Sequence, residues 1–282
     1  MKLIKYIKRT LIDFSSNLRL LLICFFRVLI SRRSNQFISY PNEKVLIVGN
    51  GPSATSIDYP ELNRKGIHVL CVNYFALKSD LFFRIRPKYY CVIDPAFYTD
   101  ICVEHEKRND LVAKLNSVDW EMTLVCLEGQ LLKGLANPKI NYFHLNYNAY
   151  EGTWLRNSLY RMNKAHFGLQ NVVLAALFYC ISSQMSAIYL IGVENDWHKE
   201  FYVDSDNNVF RRIHHFYGVE ERNLIEDGEI SKGEFYKEMG YYYLTARQYY
   251  LASRYADHTG VKVRNLTLGS YIDVFEKVND AE

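Results

Sequence analysis

The run from Lys44 to Asp58, KVLIVGNGPSATSID, limits what this chain can fold into more than any other stretch. Val45, Leu46, Ile47 and Val48 are consecutive apolar residues running into Gly49-Asn50-Gly51-Pro52-Ser53. That is the pattern of a buried strand ending in a glycine turn. Pro52 has no amide hydrogen and a fixed φ, so it suits the first position of a helix. The two glycines let the backbone approach a ligand, and free amides at a helix start favour a phosphate. Gly49, Asn50, Gly51 and Ser53 are therefore expected at a nucleotide pocket. Glycine spacing alone fits a strand-to-helix turn without a ligand equally well, since it matches neither GxGxxG nor GxxxxGK[ST].

Beyond the turn, β-prone and helix-prone stretches alternate. HVLCVN ends at Asn73 and KYYCVID at Asp94, and MTLVCL covers Met122 to Leu127. Val172 to Ile181 is apolar nearly all round, too short to span a bilayer and suited to a helix buried on a sheet. The strand Ala187 to Val193 follows and ends in Glu194-Asn195-Asp196-Trp197-His198. A helix over Glu234 to Asp257, stopped by Gly260, precedes a last strand over Lys262 to Leu266. Polar residues at strand ends predict an α/β fold with a single doubly wound, mostly parallel sheet, whose ligand crevice lies outside the carboxyl ends. Asn73, Asp94, Glu194 and Asp196 are candidates for that crevice, although Asp94-Pro95 equally suits a turn opener. The Tyr- and Asn-rich stretch from Asn141 to Arg161 has no clear period and is open to a reading as a loop over the site.

At 49% hydrophobic and 23% charged, 282 residues describe a soluble chain with one large core. The six cysteines include no CxxC pair, and Cys71, Cys91, Cys126 and Cys180 lie within apolar runs, which points to core thiols in a reducing compartment. No cleavable signal peptide is evident.

Residues 1–33 differ from the rest. Ile7, Leu11, Phe14, Leu18, Leu21, Leu22, Phe25 and Leu29 share a helical face, with Lys2, Lys5, Arg9, Arg19 and Arg27 opposite. Eight basic residues against Asp13 give this segment +7, leaving −4 for the remainder of a chain whose formal charge is +3. Such a helix suits the surface of an anionic membrane. A helix packed on its own domain is the alternative. Residues 34–42 read as a linker, and 43–282 as the globular domain.

VLIVGNGPSATSIDY resembles the opening strand and turn of the bacterial sialyltransferases of glycosyltransferase family 42. It also resembles the related domain of unknown function 115, which includes hydroxymethylpterin pyrophosphokinase-like proteins. CVN ending at Asn73, YLIGVEND, Tyr202, His215 and the closing Asn265-Leu266-Thr267 with Ser270 extend the likeness from about Lys44 to Phe275. The resemblance implies one nucleotide-sugar-binding domain of modified GT-A, Rossmann-like type, with a lid around 197–235. It also implies that Asn50, Ser53 and the glycine amides meet the donor's phosphate or sugar, that Asn73 and Asp94 flank its nucleotide, and that Tyr202 stabilises the leaving phosphate. His215 matches the histidine that acts as general base, with His214 beside it as the other member of the pair. Asp94 stands where the sialyltransferases have asparagine, so the donor need not be CMP-sialic acid.

Asp204-Ser205-Asp206 has the DxD form that binds divalent metals in other glycosyltransferases, but Asn207-Asn208 after it favours a solvated turn. The expectation is thus a glycosyltransferase at the cytoplasmic face of the membrane. It would need no metal or other cofactor, and it would move a sugar from a nucleotide donor to a glycan or lipid-linked glycan acceptor. Alternatives are an ATP-dependent pyrophosphokinase and a non-catalytic assembly subunit. Nothing points to nucleic acid, and a homo-oligomer is compatible with the sequence.

Overall fold

The computed structural model describes residues 14, 17–26, 35–98 and 105–282 except 216–217, and not the side chains of 213–220. The other positions expected on the amino-terminal helix, including Ile7, Leu11, Leu29 and the basic residues other than Arg19, lie outside the described residues.

β1 (Lys44–Val48) is central to an eight-stranded sheet. On one side lie β2 (Ile67–Val72), β3 (Tyr89–Cys91), β4 (Met122–Leu127) and β5 (Ile140–Leu145). On the other lie β6 (Ala187–Ile191), β10 (Lys262–Asn265) and β11 (Glu276–Lys277). All these pairings are parallel, so the doubly wound α/β expectation holds. The order in which strands are added reverses between β1 and β6, which run parallel with Val48 opposite Ile191, and this is the topological switch point.

Side chains of a strand alternate between faces, and β1 therefore feeds two cores. Val45 and Ile47 join α5 (Val172–Ser182), every residue of which is buried, and α6 (Tyr236–Thr259) beyond it. Leu46 and Val48 join the layer of α1 (Tyr59–Arg64), α2 (Ser79–Ile85) and α3 (His105–Asn116). Asn171 caps α5, its Oδ1 accepting the Leu174 amide at 3.0 Å. Gly260 stops α6 at φ +75°, as its position in the sequence predicts. Cys71, Cys91, Cys126 and Cys180 are free and buried.

Two stretches differ from their sequence reading. Ile140–Leu145 is not loop but the edge strand β5, followed by the short helix α4 (Arg156–Arg161). Residues 35–42 lie along the domain: Phe37 stacks on Phe143 with centroids 5.2 Å apart, and the Tyr40 amide donates to Ser183 O at 2.8 Å. The lid region contains an antiparallel sheet of β7 (Phe201–Val203), β8 (Val209–His215) and β9 (Gly218–Asn223).

Candidate active site

At the switch point glycine meets glycine. A Cβ on Gly49 would fall 2.2 Å from Gly192 O, and Gly192 itself has φ +69° with its Cβ position 2.8 Å from Gly49 O. Only glycine permits the two strand ends to approach this closely. The Gly49 amide donates to Ile191 O at 2.8 Å and the Gly51 amide to Gly192 O at 2.9 Å. Glu194 Oε1 accepts the Ser53 amide at 2.7 Å, taking the place at the start of the 3-10 turn Pro52–Ser56 that an anionic ligand would otherwise fill. Ser53 Oγ accepts the Gly192 amide at 3.0 Å and lies 3.4 Å from Thr267 Oγ1. Ser270 Oγ donates to Val193 O at 2.6 Å. Glycine-turn amides and Ser53 thus join the two strand ends, with Thr267 and Ser270 as clamps.

Outside this seam lies a cavity of about 430 Å³. Asn50, Gly51 and Pro52 supply one wall, Gly192 to Trp197 another, and the α5 amino end with Asn171 a third. Tyr241, Thr245 and Tyr249, four residues apart on α6, close it together with Glu200, Arg211 and Glu238. Arg211 Nε donates to Glu200 Oε2 at 3.0 Å, and its guanidinium lies 5.5 Å from the Trp197 ring centre. Burial raises the Glu238 carboxyl pKa; the neighbouring Arg211 opposes this and Glu229 adds to it. Asn50 Oδ1 and Glu194 Oε2 are buried acceptors without a hydrogen-bond donor.

A second cavity of about 400 Å³ adjoins the first through Pro52, Glu194, Asp196 and Glu200 and adds Lys199, Tyr202 and Arg212. Tyr202 stacks on Phe210 with centroids 5.0 Å apart. Desolvation and then the Glu221 carboxylate raise its hydroxyl pKa, so it remains a hydrogen-bond donor at neutral pH.

The structure therefore brings Gly49, Asn50, Gly51, Ser53, Glu194, Asp196 and Tyr202 into one region. Asn73, at φ +48°, follows the cavity residue Val72; its carbonyl accepts the Tyr90 hydroxyl and its Oδ1 is buried without a partner. Asp94 is set apart: exposed, it caps the turn Pro95–Phe97 by accepting the Ala96 amide at 2.9 Å. His214 and His215 end β8, paired with Val219 and Gly218, and their side chains lie outside the described residues. His198 packs between Tyr242 and Tyr271, each centroid 4.7 Å away. Asp204 is committed to its own turn, accepting the Asp206 and Asn208 amides and the Asn208 side chain at 2.8 to 3.0 Å. Among the described residues no three His, Cys, Asp or Glu side chains are placed to hold a metal, and no helix is long and apolar enough to cross a membrane.

Sequence reasoning missed Glu200, Arg211, Glu238 and the α6 tyrosines. The four-residue spacing of Tyr241, Thr245 and Tyr249 was a usable signal, as was Asn171 before an apolar run.

No protein-family model and no curated protein matches the chain. Among solved structures it is similar to the Campylobacter jejuni sialyltransferase CstII in complex with the substrate analogue CMP-3FNeuAc. The two share 15% identity at a TM-score of 0.43, covering 84% of this chain and 86% of that one. The monofunctional α-2,3-sialyltransferase Cst-I of the same organism gives 15% identity and a TM-score of 0.44, over 88% and 84% of the two chains. Likeness at this level transfers no residue role.

Proposed function

We propose that the protein is a nucleotide-sugar-dependent glycosyltransferase, working at the surface of an anionic membrane on a glycan or lipid-linked glycan acceptor. The observation that carries this reading is the cavity, with Asn50, Glu194 and Asp196 on its walls, at the switch point of an all-parallel sheet, where such folds take nucleotides. Two adjoining cavities suit a reaction with two substrates. In this reading the donor's sugar or nucleoside hydroxyls face Asn50, Glu194 and Asp196, acceptors that a hydroxyl satisfies and a phosphate would not. Its phosphate lies toward Lys199, Arg212 and the Tyr202 hydroxyl, with Asn73 near its nucleotide.

The transfer is an inverting displacement. His215, on the strand that carries Arg211 into the cavity wall, takes the proton of the acceptor hydroxyl as that oxygen bonds to the anomeric carbon. The anomeric carbon–oxygen bond breaks, and the nucleotide phosphate leaves with the electron pair, steadied by Tyr202. No divalent metal is required.

Thermal unfolding with CMP, UDP, GDP and ATP tests the reading. A sugar-nucleotide family should raise Tm, and its sugar donor should be hydrolysed slowly in the absence of acceptor. A shift with ATP and magnesium alone would favour the pyrophosphokinase, and no shift with any nucleotide would favour an assembly subunit.

A further inference from the structure

The helical run 17–26 touches the domain along one line and is uncovered along another. Asn17 Oδ1 accepts the Thr153 amide at 2.7 Å and the Thr153 hydroxyl at 3.0 Å. Phe14 meets Trp154 edge to face with centroids 5.0 Å apart, Cys24 is buried, and Leu21 packs partly buried on the main core. Positions 14, 17, 21 and 24 follow the helical repeat, so this is one face. The apolar stripe seen in the sequence is thereby split. Leu21 is half-buried on the domain and Phe14 meets Trp154 while staying 54% exposed; Leu18, Leu22 and Phe25 are 40%, 50% and 57% exposed, and Leu20, Ile23 and Phe26 are exposed as well.

The loop that receives this helix holds a further apolar side chain out in solvent. The Tyr150 hydroxyl donates to Trp154 O at 2.8 Å, and a Cβ on Gly152 would sit 2.4 Å from that hydroxyl, so the turn closes over glycine. Leu155 ends the loop at φ +56° and is 62% exposed. A left-handed backbone disfavours a leucine, and an exposed leucine contributes little to the core. Met162, at the other end of α4, is exposed too. Arg19, Arg156 and Arg161 are the sequence neighbours of Leu18, Leu155 and Met162, and Lys164 lies two residues past Met162, while the loop's carboxylate Glu151 is held by Arg247 at 2.7 Å.

We propose that the Leu18, Leu22 and Phe25 line and the Leu155 loop form one surface that enters the interface of an anionic bilayer. Leu18 and Leu155 are each one residue from the helix–loop contact, which makes the two patches neighbours. The excess of cations favours anionic headgroups as the occupant. The inference rests on the membrane reading above and deepens it: the globular domain itself meets the lipid, so its orientation is fixed.

Co-sedimentation of the full chain with vesicles of mixed phosphatidylglycerol and phosphatidylcholine tests this, with pure phosphatidylcholine as control. Binding to the anionic vesicles should weaken with salt. Leu155→Glu should lower affinity about tenfold without changing Tm. Leu155→Gly should also weaken binding yet raise Tm by about 2 °C, because it relieves the left-handed leucine. If Leu18→Glu/Leu22→Glu abolishes binding while both Leu155 variants bind normally, the composite surface is overturned and the helix reading stands. If none of these variants changes binding, both are overturned. A change of oligomeric state in Leu155→Glu with unchanged vesicle affinity would assign the surface to a second copy of the chain and overturn the lipid proposal.

Discussion

A single methyl group probes the closure of the switch point. Gly49→Ala places a Cβ against backbone, Gly192 O, which cannot swing away as a side chain end could. The expected loss is about 3 kcal/mol, a fall in Tm of roughly 5 °C in thermal unfolding. Gly240, in the interior of α6 with nothing near its Cβ position, gives the opposite sign: Gly240→Ala should stabilise by about 0.5 to 1 kcal/mol. At the proposed base, His215→Ala should lower turnover by about 10² to 10⁴ while the donor-induced rise in Tm persists. If His214→Ala alone has that effect, the neighbouring histidine is the base. The need for Gly49 and Gly51 was legible because a glycine after four apolar residues has few other uses. The partners of their amides were not legible. Glu194 reaches Ser53 across 141 residues of sequence, and only the folded register of β1 against β6 brings them together.

Elements were legible where burial alone dictates a pattern. The strand cores of β1, β2, β4 and β6 and the wholly buried α5 are continuous apolar runs because both of their sides are covered. β5 was hidden although Asn137-Pro138 marks a turn before it: it is an edge strand, and its exposure alternates too irregularly to show a period. The lid around 197–235 came from the family resemblance alone, and the pairing of β7, β8 and β9 within it was not legible because short antiparallel strands need no continuous apolar run. The turn between β7 and β8 provides a test at this scale. Asp204 is saturated by its own turn, which holds its carboxyl below the usual range, first through the Asn208 side chain and then through turn amides. Turnover should therefore be undiminished in excess chelator, and Asp204→Asn should retain activity. Loss of turnover in both experiments would show that this carboxylate holds a metal after all.

At the scale of the molecule, acid stability sums over groups whose protonation differs between folded and unfolded chains, and three buried or paired groups here share one sign. The His166 ring is buried with Nδ1 accepting the Gly168 amide at 3.0 Å; burial pulls its pKa down to about 3, against a smaller opposing effect of its bond to the Tyr147 backbone. His68 is also lowered, by burial and by Lys88, with Glu43 opposing. Burial acts to raise the Glu43 pKa, but hydrogen bonds from Lys88 and Tyr89 outweigh it and leave the pKa lowered. A histidine with a depressed folded pKa takes up its proton on unfolding. Its contribution is complete above the ordinary value near 6.5 and is lost as pH falls toward the folded value. For His166 that loss reaches roughly 4 to 5 kcal/mol near pH 3, of which about 2 kcal/mol is gone by pH 5. Glu43 adds to the decline only below its ordinary value of 4.5. Tm should accordingly be level above pH 7 and fall by about 3 to 4 °C between pH 6.5 and pH 5. His166→Gln keeps an acceptor for Gly168 and a donor for Tyr147 without a titrating proton, so it should flatten most of that fall even if its Tm at pH 7.5 is lower. An unchanged slope in the variant would move the acid sensitivity to His68 and the Glu43 cluster at the opposite end of the sheet from the cavity.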